Sequence, residues 1–98
     1  MQIYSDLEVL QSISRLLPEW FYDRENISRE FKFDTYMQSI EFVNQVATLA
    51  EELDHHPLIL ISWHKVLVKL HTHSKKAITS LDFDLASRLD KLFISFFS

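Results

Sequence analysis

The sequence has no cysteine and no glycine. Without cysteine there can be no disulfide, no thiolate metal site and no cysteine nucleophile. Without glycine, every phosphate-cradling loop that relies on close backbone approach is excluded, the P-loop and dinucleotide fingerprints among them. Proline occurs only at Pro18 and Pro57, so the chain has two hard stops and no proline-rich linker. The longest aliphatic run, Leu58 to Ile61, is far too short to span a bilayer. The segment Met1 to Leu10 lacks the basic and apolar regions of a secretory leader, so a cytoplasmic location is expected. Basic residues are outnumbered 10 to 14, and the resulting net charge of −4 disfavours direct nucleic-acid binding.

What is present suffices for a core. Of 98 residues, 47% are apolar and 13% aromatic, which argues for one folded domain over the whole chain, 1–98, rather than disorder. All five histidines fall between His55 and His73, which marks where chemistry is to be sought.

Local patterns give an element order. Ser5 and Glu8 form a capping-box pair that opens a first helix, with Leu7, Leu10, Ile13 and Leu17 as its apolar stripe, and Pro18 ends it. Trp20 to Tyr22 reads as a strand, Asp23 to Asn26 as a polar turn, and Ile27 to Phe33 as the alternating second strand. Asp34 is the expected N-cap of a long second helix presenting Ile40, Val43, Ala47, Ala50 and Leu53. That helix ends in Asp54-His55-His56-Pro57, because the residue before proline avoids helical angles. A second hairpin follows, with strands Leu58 to Trp63 and Lys65 to Thr72. Val66, Val68, Leu70 and Thr72 share one face, and Lys65, Leu67, Lys69, His71 and His73 the other. Thr79 and Asp82 cap a third helix with Leu81, Leu85, Leu89, Leu92 and Phe96 inward. The expected fold is α+β, in the order α-ββ-α-ββ-α: a four-stranded antiparallel sheet with three helices packed on one face. The apolar residues of Phe93 to Phe97 point to more than one side, so another subunit is expected to cover some of them.

The spaced set Glu51, His55-His56-Pro57, Trp63, His73 and Asp82 closely resembles the signature of pterin-4a-carbinolamine dehydratases. Trp20, Phe31-Lys32-Phe33, Val46-Ala47, Ala50-Glu51, Lys65-Val66, Thr72-His73 and Leu85-Ala86 extend the likeness from about Trp20 to the C-terminus. The resemblance implies dehydration of a 4a-hydroxytetrahydropterin such as 4a-hydroxytetrahydrobiopterin to the quinonoid dihydropterin, in tetrahydropterin recycling. It implies no metal and no organic cofactor, a pterin substrate, and a homodimer or homotetramer. Some relatives also act as transcriptional dimerization cofactors or assembly helpers, so a protein-binding module is the alternative reading.

By this resemblance His55 and His73 are the acid–base pair, and His56 binds and orients the pterin. Imidazole suits the task because it exchanges protons near neutral pH. Glu51, Asp82, Trp20 and Trp63 are expected to complete the substrate-binding site: Glu51 lies one helical turn before His55, where its carboxylate would tune the imidazole, and Trp20 and Trp63 offer flat walls for a planar ring. Each has a structural alternative: Glu51 as a solvated helix residue, the tryptophans as core aromatics, Asp82 as a helix cap. His71 and His73 also show an H-x-H spacing that metal sites use. Three departures from the family pattern stand out: His71 replaces a small hydroxyl residue, Ile59 an aromatic one, and Ala77 a glycine. The last requires the loop before Thr79 to avoid a left-handed residue there or carry strain.

Overall fold

A computed structural model describes the backbone of residues 1–97 and the side chains of residues 1–96. The elements run α1 (Asp6–Leu16), β1 (Phe21–Tyr22), β2 (Ile27–Lys32), α2 (Tyr36–Leu53), β3 (Leu58–Ser62), β4 (Lys65–Leu70) and α3 (Ser80–Phe97), with a short 3-10 turn at His73–Lys75. The strands form one antiparallel sheet in the order β1-β2-β4-β3. The α-ββ-α-ββ-α order and the α+β class are therefore as the sequence predicts.

Register explains the two faces of the sheet. Ile27 pairs with Leu70, Phe31 with Val66 and Ile59 with Val68, and these side chains meet the helices. Directly paired residues share a face. Leu58 and Lys69, and Leu60 and Leu67, therefore lie on the face without helices. One core cluster joins Val9, Ile13 and Leu17 of the N-terminal region to Phe31, Phe42, Val46, Leu85 and Leu89.

The helical stripes differ from the expected ones by a small rotation. In α1 the buried side chains are Val9 and Ile13, followed by Leu17, while Leu7 and Leu10 are exposed. In α2 they are Ser39, Phe42, Val46 and Ala50, so Ile40 and Val43 are half-buried and Ala47 is exposed. Both helices carry apolar residues on more than one side, and periodicity alone does not say which side meets the sheet. In α3, Leu85 and Leu89 are inward as expected, Leu81 and Leu92 are half-buried, and Phe96 is exposed. Phe93 takes the place expected of Phe96, packing at ring-centroid distances of 5.2 Å from Phe31 and 5.6 Å from Phe33. Ile94 is also exposed, and the expectation for the Phe97 side chain lies outside the described residues.

The caps are mostly as read. Ser5 and Glu8 make a full capping box. The N-cap of α2 is Thr35, not Asp34, because Thr35 and Gln38 form the reciprocal pair that Asp34 has no partner to make.

The absence of glycine has a visible consequence. Arg24, Asp54, Trp63 and Lys76 all adopt left-handed backbone conformations, with φ between 49° and 77°. Each sits at a chain reversal where glycine would fit without strain, at a cost of about 1–2 kcal/mol for an L-residue. The loop before Thr79 does use a left-handed residue, but at Lys76 rather than Ala77.

Candidate functional site

The end of α2 sets up the first half of the site. Asp54 turns left-handed (φ 49°, ψ 44°) and its N–H returns to the carbonyls of Ala50 and Glu51. The His55 N–H also bonds the Ala50 carbonyl, at 3.0 Å. The chain then extends into Pro57, so consecutive side chains point opposite ways. His55 goes inward and is 8% exposed, whereas His56 goes outward.

The other half comes from the end of β4. The strand stops at Leu70, two residues earlier than the alternation suggests, because Thr72 pairs with Ala77 across the 3-10 turn instead of with a neighbouring strand. His73 therefore stands in that turn rather than at a strand end, with its side chain exposed. Thr72 and Thr79 are buried on either side of Asp82, which is completely buried.

Asp82 organises this junction. Its Oδ1 lies 2.6 Å from His55 Nε2, and its Oδ2 accepts from the Thr72 hydroxyl at 2.7 Å and the Thr79 N–H at 2.8 Å. The Thr72 and Thr79 hydroxyls are 2.8 Å apart, and the Leu81 N–H donates to the Thr79 hydroxyl at 3.2 Å. The hydroxyl protons follow from these contacts. Thr72 donates to Asp82, so Thr79 must donate to Thr72, and its oxygen accepts from Leu81. An ionised carboxylate only accepts, so against it His55 Nε2 carries a proton, and in the neutral ring Nδ1 holds the lone pair. Among the described residues no buried side-chain nitrogen or oxygen lacks a partner, and Nδ1 makes no bond within the chain. Nδ1 is therefore reachable from the cleft that His55 lines.

The cleft has a volume of about 350 Å³ and is lined by Met1, Asp54, His55, His56, His71, Thr72, His73, Ser74 and Leu81. It brings His55, His56 and His73 together from two distant stretches of chain. Glu51 reaches the cleft only through His56, whose Nε2 is 3.2 Å from the Glu51 carboxylate on the surface. Asp82 reaches it only through His55 and Thr72.

The tryptophans lie elsewhere. Trp20 is buried in the core, edge-on to Phe31, and its indole N–H donates to Asp90 at 2.8 Å. Trp63 is 72% exposed at the β3–β4 turn. The five residues of β3 separate it from Pro57 and the histidines, roughly 16 Å of extended chain. Neither ring lines the cleft, so neither is placed to wall a ligand held there. Sequence reasoning missed Thr72 as a partner of Asp82, although its inward position in the β4 alternation was legible.

No group of three or more His, Asp or Glu residues among those described is arranged to hold a metal ion. His71 and His73 are edge to face, with ring centroids 5.0 Å apart, and His71 Nδ1 is engaged with the Glu25 carbonyl at 2.7 Å. Nor is any helix among the described residues long and apolar enough to cross a membrane.

The profile of the family described as "Pterin 4 alpha carbinolamine dehydratase" matches residues 2–92. The chain belongs to that family. A Picosynechococcus protein named "Putative pterin-4-alpha-carbinolamine dehydratase" is 43% identical over 88 residues, covering 90% of this chain and 95% of that one. A Sulfolobus acidocaldarius protein of the same name is 36% identical over 73 residues, covering 74% of this chain and 80% of that one. Among solved structures, a transcriptional coactivator/pterin dehydratase from Brucella melitensis superposes with a TM-score of 0.83 at 33% identity, covering 92% of this chain and 97% of that one. A pterin dehydratase-like protein, identified as a RuBisCO assembly factor, superposes at 0.63 with 24% identity, covering 76% of this chain and 86% of that one; this likeness concerns the fold alone.

Proposed function

We propose that this family member dehydrates 4a-hydroxytetrahydropterins, with His55, His73 and His56 as the working side chains. One observation carries the reading. The carboxylate of a buried aspartate meets His55 Nε2 at 2.6 Å and leaves Nδ1 at a cleft that His55 shares with His56 and His73.

The reaction needs two proton movements. The hydroxyl on C4a gains a proton and departs as water, breaking the C4a–O bond. The N5 lone pair forms the C4a=N5 bond, and N5 gives up its proton. His55 Nδ1 is the base for N5–H in this scheme, with the resulting imidazolium stabilised by Asp82. His73, exposed and in exchange with water, delivers the proton to the leaving oxygen. His56, oriented by Glu51, positions the ring. Acid–base help of this kind contributes about 10²- to 10⁴-fold. No residue in the scheme requires a metal, and the pterin is the substrate rather than a resident cofactor.

Stopped-flow measurement of 4a-carbinolamine dehydration tests this directly. The wild-type chain should accelerate the reaction, equally with and without chelator, and His73→Ala should lower kcat by about 100-fold. A wild-type rate equal to the spontaneous one overturns the proposal.

A second reading, protein binding, has its own support. Strand β3 forms an edge of the sheet, and Leu58 and Leu60 on it are more than half exposed on the helix-free face. An unpaired apolar edge of this kind favours association with another chain. A homodimer or homotetramer would satisfy it, and light scattering at micromolar concentration should then show an assembly larger than 11.7 kDa. A monodisperse monomer contradicts the oligomer.

A further inference from the structure

The cleft beside His55 has a wall that the dehydration scheme does not use. Among the described residues that line it, only Met1 and Leu81 carry apolar side chains. The tryptophans expected to flank the ring stand elsewhere, so the apolar share of the lining falls to these two.

The neighbours of Met1 hold it in place. The segment Met1–Tyr4 lies antiparallel to the loop that opens α3, with Ile3 opposite Thr79. The Tyr4 N–H donates to the Ile78 carbonyl at 3.0 Å, and the Ser80 N–H donates to the Gln2 carbonyl at 2.9 Å. The Gln2 N–H donates to the Ser80 hydroxyl at 3.2 Å. At the other end of the strap the Tyr4 ring packs against Phe83, with centroids 4.7 Å apart. Carried beyond Gln2 and Ser80, the same register sets Met1 beside Leu81, and both side chains reach the cleft. A segment outside helix and sheet ordinarily frays unless it is tied down. Tyr4 joins the core, but Met1 does not: its side chain is 65% exposed and gives its surface to the cleft.

We propose that Met1 touches the substrate directly and, with Leu81, closes one face of the pterin ring. The inference rests on the dehydratase reading above. The ring's hydrogen-bonding groups lie around its edge, and the 4a hydroxyl projects from one face. The opposite face carries no polar group, so apolar atoms match it and release the water it held. C4a also changes shape in the reaction, from tetrahedral to trigonal. An unbranched thioether side chain follows that change where a rigid aromatic wall would not. The strap is fastened to the loop that supplies Thr79 and Asp82, whose contact measures 2.8 Å, so the wall and the acid–base groups share one frame.

The test is stopped-flow kinetics with 4a-hydroxy-6-methyltetrahydropterin. Position 1 is varied by releasing the chain from a cleavable amino-terminal fusion. Met1→Ala should raise KM about five- to tenfold, the effect of a few methylene-sized groups losing apolar contact, and lower kcat by less than about twofold. Met1→Leu should recover most of the loss, whereas Met1→Gln, of similar length but polar, should not. Leu81→Ala should raise KM in the same way and tests the wall from its other member. Nitrogen-15 shifts of His55 should match wild type in every variant, because the contact with Asp82 is untouched. A KM unchanged in Met1→Ala and Met1→Gln, or raised as much by Met1→Leu, overturns this inference and leaves the dehydratase reading intact. So does a KM change that comes with displaced His55 shifts, since the effect then belongs to the acid–base pair. Absence of acceleration by the wild-type chain overturns both.

Discussion

Asp82→Asn is expected to slow dehydration about 100-fold while leaving the fold in place. The asparagine oxygen can still accept the Thr72 hydroxyl and the Thr79 N–H, which now meet Oδ2. Its NH₂ group then faces His55 Nε2, where the carboxylate accepts at 2.6 Å. Two donors cannot share that contact, so the imidazole must move its proton to Nδ1, and the lone pair at the cleft is lost. Nitrogen-15 shifts of His55 read the tautomer directly, and the rate reads whether it matters to the reaction. Asp82→Ala is more damaging to the fold. It leaves the Thr72 hydroxyl, the Thr79 N–H and His55 without their acceptor in a buried place, at about 3–5 kcal/mol. A rate for Asp82→Asn within threefold of wild type, with the His55 tautomer unchanged, contradicts this account.

The other large effect belongs to stability. Asp90 Oδ1 accepts both the Trp20 indole N–H at 2.8 Å and Arg29 Nη1 at 2.7 Å. The Arg29 guanidinium lies over the Phe31 ring at 4.5 Å and near that of Phe93 at 5.2 Å. Asp90→Ala leaves a buried indole N–H unsatisfied and a guanidinium without its counter-ion among aromatic rings. The pair retains some solvent contact, with side chains 16% and 20% exposed, so the cost is smaller than for a sealed ion pair. About 2–3 kcal/mol is expected, a large share of the 5–15 kcal/mol that holds a typical domain together. Thermal unfolding followed by circular dichroism should show Tm lowered by roughly 10–15 °C for a chain of this size. A shift below about 3 °C would show that Asp90 does not hold Trp20 and Arg29 in this way.

Much of the molecule was legible from local rules. Ser5 with Glu8, and Thr79 with Asp82, mark helix starts because orphan N–H groups need nearby side-chain acceptors. Val66, Val68 and Leu70 alternate with polar or half-exposed neighbours because successive strand side chains face opposite ways. The histidines before Pro57 and after β4 stood out in the sequence, and the fold brings them to one cleft. The facing sides of α1 and α2 were not legible, since Leu7 and Val9, or Val43 and Val46, are equally apolar choices.

The sequence by itself determined the element order, the absence of phosphate loops and thiol chemistry, and the family resemblance carried by Glu51, His55-His56-Pro57, His73 and Asp82. Only the tertiary structure decided where each of these lies and what it touches. It buried Asp82 against His55 and two threonines, kept His73 exposed across the same cleft, tied His71 to the β1–β2 turn, and set Trp20 and Trp63 apart from all of them. The physical reason is that hydrogen-bond direction and burial depend on groups far apart in the chain. His55 and Asp82 are 27 residues apart, and no local pattern states which imidazole nitrogen a carboxylate will hold.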